Sequence, residues 1–284
     1  MHTLEIPRKK KNKIIEFPEN WEEMSQKQFL KIMELVIEFE IGKIDYNDLK
    51  LQATMVLVGI VITKAPRSKA DQDEIAASLA VLVELINYII VIEKNKKGKS
   101  IAKLQFESLK QFLPIIKTYE GPQVGLSNIT WEQHTKASAN YRQYIQTKEV
   151  QYLDKLIGSL YLEAGKEFDA ERADIIAEDV ADIPYHWKYA VFLFYRNSLT
   201  FIQNSKINMN GETIDLSILF KDDKKKSKAD GLGLVGLQMS IAESGVFGDM
   251  EKTGKQSIYD VYAYLYKNKH AYIEQMKEYN KKKP

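Results

Sequence analysis

Apolar residues recur along most of this chain at intervals of three and four, the period of a helix with one buried face, and lysine-rich stretches separate the runs. The N-terminus alternates instead. Leu4 and Ile6, then Ile14, Ile15 and Phe17, flank Arg8–Lys13, which predicts a basic-tipped hairpin or a short edge strand. Ser25 and Gln28 then form a capping box, Phe29, Ile32, Met33, Val36 and Ile37 follow at helical spacing, and Gly42 stops the helix. A second helix is predicted from Asp48 to Thr63, closed by Pro66, and a third from Asp71, with Glu74 at its third position, to Ile92. Both are apolar on more than one face, which implies burial on more than one side.

The segment Ile101–Ile116 reads as a short helix or as a strand followed by a helix, limited by Pro114, and Tyr119–Asn128 is a break marked by Gly121, Pro122 and Gly125. Thr130 with Gln133 caps a helix whose stripe is Trp131, Ala137, Tyr141, Tyr144 and Ile145. Further helices are predicted over Val150–Leu162, Ala170–Ala181 and from Pro184 through Leu199. Asn210-Gly211 signals a hairpin within Ile207–Phe220, and Lys221–Asp230 reads as a charged loop. Gly231–Ser244 reads as a helix, Val246–Lys255 as a turn, and Ser257–Tyr279 as a closing helix with a basic tail. The expected fold is mainly α: a multi-helix bundle with a small N-terminal β element and a short hairpin in the C-terminal half. Its expected domains are residues 1–118 and 119–284.

Composition narrows the function classes. The 284 residues contain no cysteine and four histidines, so disulfide frameworks, thiolate nucleophiles and thiolate zinc sites are excluded. Lys and Arg number 41 against 39 Asp and Glu, which leaves nucleic-acid binding dependent on local clusters. The apolar runs Leu51–Thr63 and Ser78–Ile92 fall short of the roughly 20 residues that cross a bilayer, so no membrane partner is expected.

Few constellations suggest chemistry. Gly231-x-Gly233-x-x-Gly236 matches the dinucleotide-binding string, but Lys221–Asp230 before it cannot supply the buried strand that the phosphate-binding turn requires. Glu171, Asp174 and Glu178 share a helical face with Asp179, Asp182 and His186 beyond, a set of hard ligands whose spacing Pro184 interrupts; a solvated acidic face is the simpler reading. His134 and His270 have no carboxylate at ligand spacing and read as surface or half-buried residues. There is no Gly-x-Ser-x-Gly elbow, and neither a catalytic residue nor a cofactor or metal site is assigned.

Two surface features remain. Lys9, Lys10, Lys11, Lys96, Lys97, Lys225 and Lys226 lie in predicted loops and would contact phosphates if the fold gathered them on one face; as separate runs they are solubilising connections. The closing helix carries Tyr259, Tyr262, Tyr266, Tyr272 and Tyr279, more tyrosine than one buried stripe needs, and so offers a partner-binding face beside its packing role.

Three stretches resemble proteins encoded among the tail genes of tailed bacteriophages and prophages. Phe17-Pro18-x-x-Trp21-Glu22-Glu23-Met24-Ser25-x-x-Gln28-Phe29 is similar to a Pro-x-x-Trp-x-Glu-Leu-Thr-x-x-Gln opening. Leu126–Glu132 through Leu156–Leu162 is the second, with Leu162-Glu163 after Leu160-Tyr161 where those proteins tend to have Arg-Pro. Ala242–Gly248 followed by Tyr259–Leu265 is the third. The resemblance implies a role in virion morphogenesis, as a tail-assembly chaperone or minor tail component, with tail or tape-measure proteins as partners. It places the chain in the host cytoplasm during assembly, or in the virion. The expected contact surfaces are the N-terminal hairpin with the Trp21 region and the closing helix, with Trp21, Tyr259, Tyr262, Tyr266 and Tyr272 as contact residues; an accessory nucleic-acid-binding protein using the lysine loops is the alternative.

Overall fold

The computed structural model describes residues 1–6, 13–59, 69, 80–94, 98–209, 211–221 and 232–281. They are mainly helical, with small two- and three-stranded sheets. The chain divides into two compact units, Met1–Phe112 and Leu113–Pro284. A division at 118/119 would instead cut a hairpin, because Ile115 and Ile116 pair with Glu120 and Tyr119.

In the first unit, β1 (His2–Ile6) and β2 (Lys13–Phe17) pair antiparallel with His2 opposite Phe17. The Ser25–Gln28 capping box starts α1 (Gln26–Glu40), whose Phe29, Ile32, Met33, Leu35 and Val36 are buried. Asp45 caps α2 (Tyr46–Val58), which Gly59 closes in a left-handed conformation, φ 70°; residues 60–63 of the expected helix lie outside the described residues.

The predicted third helix is corrected more deeply. Residues 71–79 lie outside the described residues, 80–84 are helical, and the chain has left the helix well before Ile92. Ile90–Lys94 is instead strand β3, paired with β4 (Ser100–Leu104). The run Ile89-Ile90-Val91-Ile92 is β-branched throughout, and such side chains lose little by sitting on a pleated surface. The segment Ile101–Ile116 forms no helix; after β4 it runs irregularly to β5 (Ile115–Ile116).

The second unit begins with that strand. β5, β6 (Tyr119–Glu120) and β7 (Leu162–Glu163) make a three-stranded antiparallel sheet of two-residue strands. The predicted helices follow: α3 (Trp131–Thr147), α4 (Gln151–Leu160), α5 (Ala170–Asp179) and α6 (Tyr185–Asn204). The predicted hairpin appears as β8 (Lys206–Met209) and β9 (Glu212–Asp215). Last come α7 (Gly233–Glu243), the short α8 (Met250–Gly254) and α9 (Ile258–Lys281). α8 lies where a turn was expected and is started by Asp249, whose carboxylate accepts from the Lys252 amide at 2.8 Å.

Two features fix the core of this unit. α4 meets α5 so closely that a Cβ on Gly158 would sit 2.2 Å from the Ala173 carbonyl oxygen. α6 buries Val191, Leu193, Phe194 and Tyr195, and it also buries Lys188. The Lys188 ammonium is 2.6 Å from the Asp154 carboxylate and donates to the Ala181 carbonyl at 2.7 Å, so the charge enters the interior already paired.

Candidate functional site

The expected contact residues separate into two groups. Trp21 is overturned as a surface residue. It is 4% exposed, its indole N–H donates to the Gln105 carbonyl at 2.8 Å, and its ring stands edge-on to Phe29, Tyr88 and Phe106. The neighbouring Glu22 carboxylate accepts from the Ser108 hydroxyl at 2.7 Å and the Leu109 amide at 3.1 Å. Lys110 donates to the Glu22 and Met24 carbonyls, both at 2.7 Å. The Phe17–Phe29 stretch is therefore an internal latch, closed by the segment from Gln105 to Lys110.

The root of α9 is equally internal. Thr130 and Ser257 form an isolated antiparallel bridge, with the Trp131 amide donating to Gln256 at 2.8 Å and the Ile258 amide to Ile129 at 3.2 Å. Ile258, Val261 and Tyr262 are buried there. Tyr259 is part-buried and donates its hydroxyl to the Gly125 carbonyl at 2.7 Å. Tyr259 and Tyr262 are thereby packing residues, against the expectation that they meet a partner.

Tyr262 also reaches His134, which is 2% exposed where a surface or half-buried residue was expected. The Tyr262 hydroxyl is 3.1 Å from His134 Nε2 and the Tyr195 hydroxyl 3.1 Å from Nδ1. A neutral imidazole carries one N–H and one lone pair, so one tyrosine donates to the ring and the other accepts from it. Burial, with a smaller contribution from the Arg142 charge, pushes the His134 pKa down to about 4, and burial raises both phenols. Among the described residues, neither ring nitrogen meets a carboxylate or lies open to a substrate. The cluster ties α3, α6 and α9 together.

Beyond this root the helix changes character. No residue of α9 after Tyr262 is buried. Tyr266 stacks on His270 at a centroid distance of 5.7 Å, while Tyr272 and Tyr279 are 55% and 57% exposed. Lys267–Lys281 spans about 22 Å at the helical rise of 1.5 Å per residue. Of the expected partner residues, Tyr272 lies on this outer segment and Tyr266 immediately before it.

The other candidates are placed as follows. Lys9, Lys10, Lys11, Lys96, Lys97, Lys225 and Lys226 all lie outside the described residues. The acidic face is engaged by lysines: Lys136 is 2.9 Å from Asp174, and Lys117 is 2.8 Å from Asp182 and 3.4 Å from Asp179. The Lys117 hydrogen bond holds the Asp182 carboxyl below its ordinary range. Among the described residues, no three His, Asp or Glu side chains gather as a metal-binding group. A cavity of about 120 Å³ between α3 and the start of α7 is lined by Thr135, Ser138, Arg142 and Leu232–Val235. It is well below the roughly 300–1,000 Å³ of small-molecule sites. Gly233 of the glycine string opens α7 with φ 57°, and residues 222–231, which hold Gly231 and most of the expected charged loop, lie outside the described residues.

Scans against protein-family models, curated proteins and solved structures find no match to this chain. Among the described residues, no helix is long and apolar enough to cross a membrane.

Proposed function

We propose that this chain is a non-enzymatic protein of tailed-bacteriophage assembly, a tail-assembly chaperone or minor tail component, working through protein–protein contacts in the host cytoplasm. The observation that supports contact as its mode of action is α9. It is anchored at its root by Tyr259, Tyr262 and the Thr130–Ser257 bridge, and then carries exposed aromatic residues about 22 Å onward. Aromatic side chains of this kind provide large contact area for few rotatable bonds, which suits them to interfaces.

The phage context comes from the three sequence stretches, and each of them forms a packed joint in this chain. The first is the Trp21 latch, the second holds the cap of α3 and the bridge to α9. In the third, Phe247 packs edge-on to Tyr264, whose hydroxyl donates to Ser244 at 3.0 Å. The motifs build the scaffold, and the outer half of α9 is the surface that the scaffold presents.

Affinity purification of the tagged full-length chain, co-expressed with the tail genes it is proposed to serve, tests this reading. Recovery of tail or tape-measure polypeptides supports it. Recovery of nuclease-sensitive material in their place contradicts it. Mass spectrometry of mature particles separates the two roles, since a chaperone is absent from them and a tail component is present.

A further inference from the structure

His134 is bonded to α9 in a way whose proton order the surroundings dictate. The Tyr195 hydroxyl has a second acceptor, the His134 carbonyl at 3.4 Å, and the Ser138 side chain as a further hydrogen-bond partner. The Tyr262 hydroxyl, among the described residues, has Nε2 alone, and the rings of Trp131 and Phe220 stand edge-on to its ring. Tyr262 is 6% exposed, so a phenol proton directed away from Nε2 would be buried without an acceptor. Tyr262 therefore donates to Nε2, and the ring carries its own proton on Nδ1. Nδ1–H donates to Tyr195, which passes its proton to the carbonyl or to Ser138.

A second proton on this ring acts on one side only, because Nδ1 is filled and Nε2 alone can take it. The bond to Tyr262 then reverses, with Nε2–H donating to the phenol oxygen, and the Tyr262 proton is left against apolar rings. The Nδ1–H bond to Tyr195 keeps its direction. The positive ring also lacks a counter-charge. The titratable and charged groups around it and its phenols are Arg142 and Tyr141 from α3, Tyr195 from α6, and Tyr259 and Tyr262 from α9. Arg142 repels the charge, and among the described residues no carboxylate faces it. Water reaches the stranded groups once one helix withdraws. α6 is held by Val191, Leu193, Phe194 and Tyr195 among its buried residues, whereas α9 buries Ile258, Val261 and Tyr262 alone, so α9 is the helix that yields.

We infer that His134 is a proton-operated catch on α9: protonation at Nε2 reverses the Tyr262 bond and releases α9 from α3, while α3 and α6 stay joined through Nδ1 and Tyr195. The inference concerns how α9 is held, and it stands whether or not α9 meets a tail polypeptide.

Two backbone amides report the release. Trp131 donates to Gln256 and Ile258 to Ile129, across the joint between the start of α3 and the root of α9. Their hydrogen exchange is followed by NMR on the full-length protein and corrected for the intrinsic rate at each pH. A free imidazole titrates at 6.5 and the held one at about 4, so release becomes about 20-fold more favourable between pH 7 and 5. Protection at Trp131 and Ile258 should fall by that factor, and protection at α6 amides such as Tyr195 should not. His134→Gln, which bonds both tyrosines without titrating, should show no fall. The imidazole nitrogen resonances of the wild type supply a check that needs no variant: Nδ1 should be the protonated nitrogen at pH 7. A proton on Nε2 at pH 7 overturns the inference. So does an equal fall at Trp131, Ile258 and Tyr195, which is unfolding of the whole unit, a fall of the same size in His134→Gln, or no fall at the two reporter amides.

Discussion

Lowering the pH from 7 to 5 should destabilise the second unit through a single buried ring. His134 is 2% exposed and bonded at both nitrogens, and burial pushes its pKa from 6.5 to about 4. The unfolded chain takes up the proton as pH falls through 6.5, whereas the folded chain does not until about 4. The stability contributed by the neutral ring is thus complete above pH 6.5 and is lost as pH drops toward 4. At about 1.4 kcal/mol per pH unit the loss comes to about 3 kcal/mol over the whole window, and to about 2 kcal/mol between pH 7 and 5. Urea unfolding at the two pH values, followed by tryptophan fluorescence, measures it, because Trp131 lies 5.6 Å from both the His134 and Tyr262 rings. His134→Gln keeps hydrogen bonding to the tyrosines without titrating, so its stability should change less between the two pH values, by about 2 kcal/mol. Effects of other groups cancel in that difference. An equal pH dependence in both proteins, or an imidazole resonance of His134 titrating near 6.5, would refute the buried-ring argument.

Other perturbations probe the scaffold. Gly158→Ala places a methyl group against the Ala173 carbonyl and should cost at least about 2 kcal/mol in unfolding free energy by forcing α4 from α5. Lys188→Met strands the Asp154 carboxylate and should cost about 3 kcal/mol at neutral pH, with part regained in acid as Asp154 takes a proton. Trp21→Ala removes a core ring and its bond to Gln105, so calorimetry should show a loss of about 3–5 kcal/mol; near-neutral stability would return Trp21 to the surface.

How far the fold was legible depended on where its determinants lie. The caps at Ser25–Gln28 and Thr130–Gln133 are local chemistry, written within four residues, and both form as expected. β3 was misread because Ile89–Ile92 is short and apolar on every side, and such a run does not distinguish a buried strand from a helix until its partner, Ser100–Leu104, is known. The two-residue strands β5, β6 and β7 carry no pattern, since β7 pairs across more than forty residues of chain. His134 had a visible signal: it lies three residues after Trp131 and three before Ala137, on the buried stripe itself. What the sequence did not contain was its bond partners, which come from α6 and α9. The tyrosine excess of the closing helix was legible as a surplus, but the body ends near Tyr262, and only the structure divides anchoring tyrosines from exposed ones.

Contact through the exposed end of α9 is best judged by comparing the wild-type chain with Tyr272→Ser/Met276→Ser in the co-purification from cells expressing the tail genes. The expected result is that wild type brings down tail or tape-measure polypeptides, while the double variant, with an unchanged melting temperature, does not. Equal recovery by both proteins would show that the exposed outer half of α9 is not the working surface.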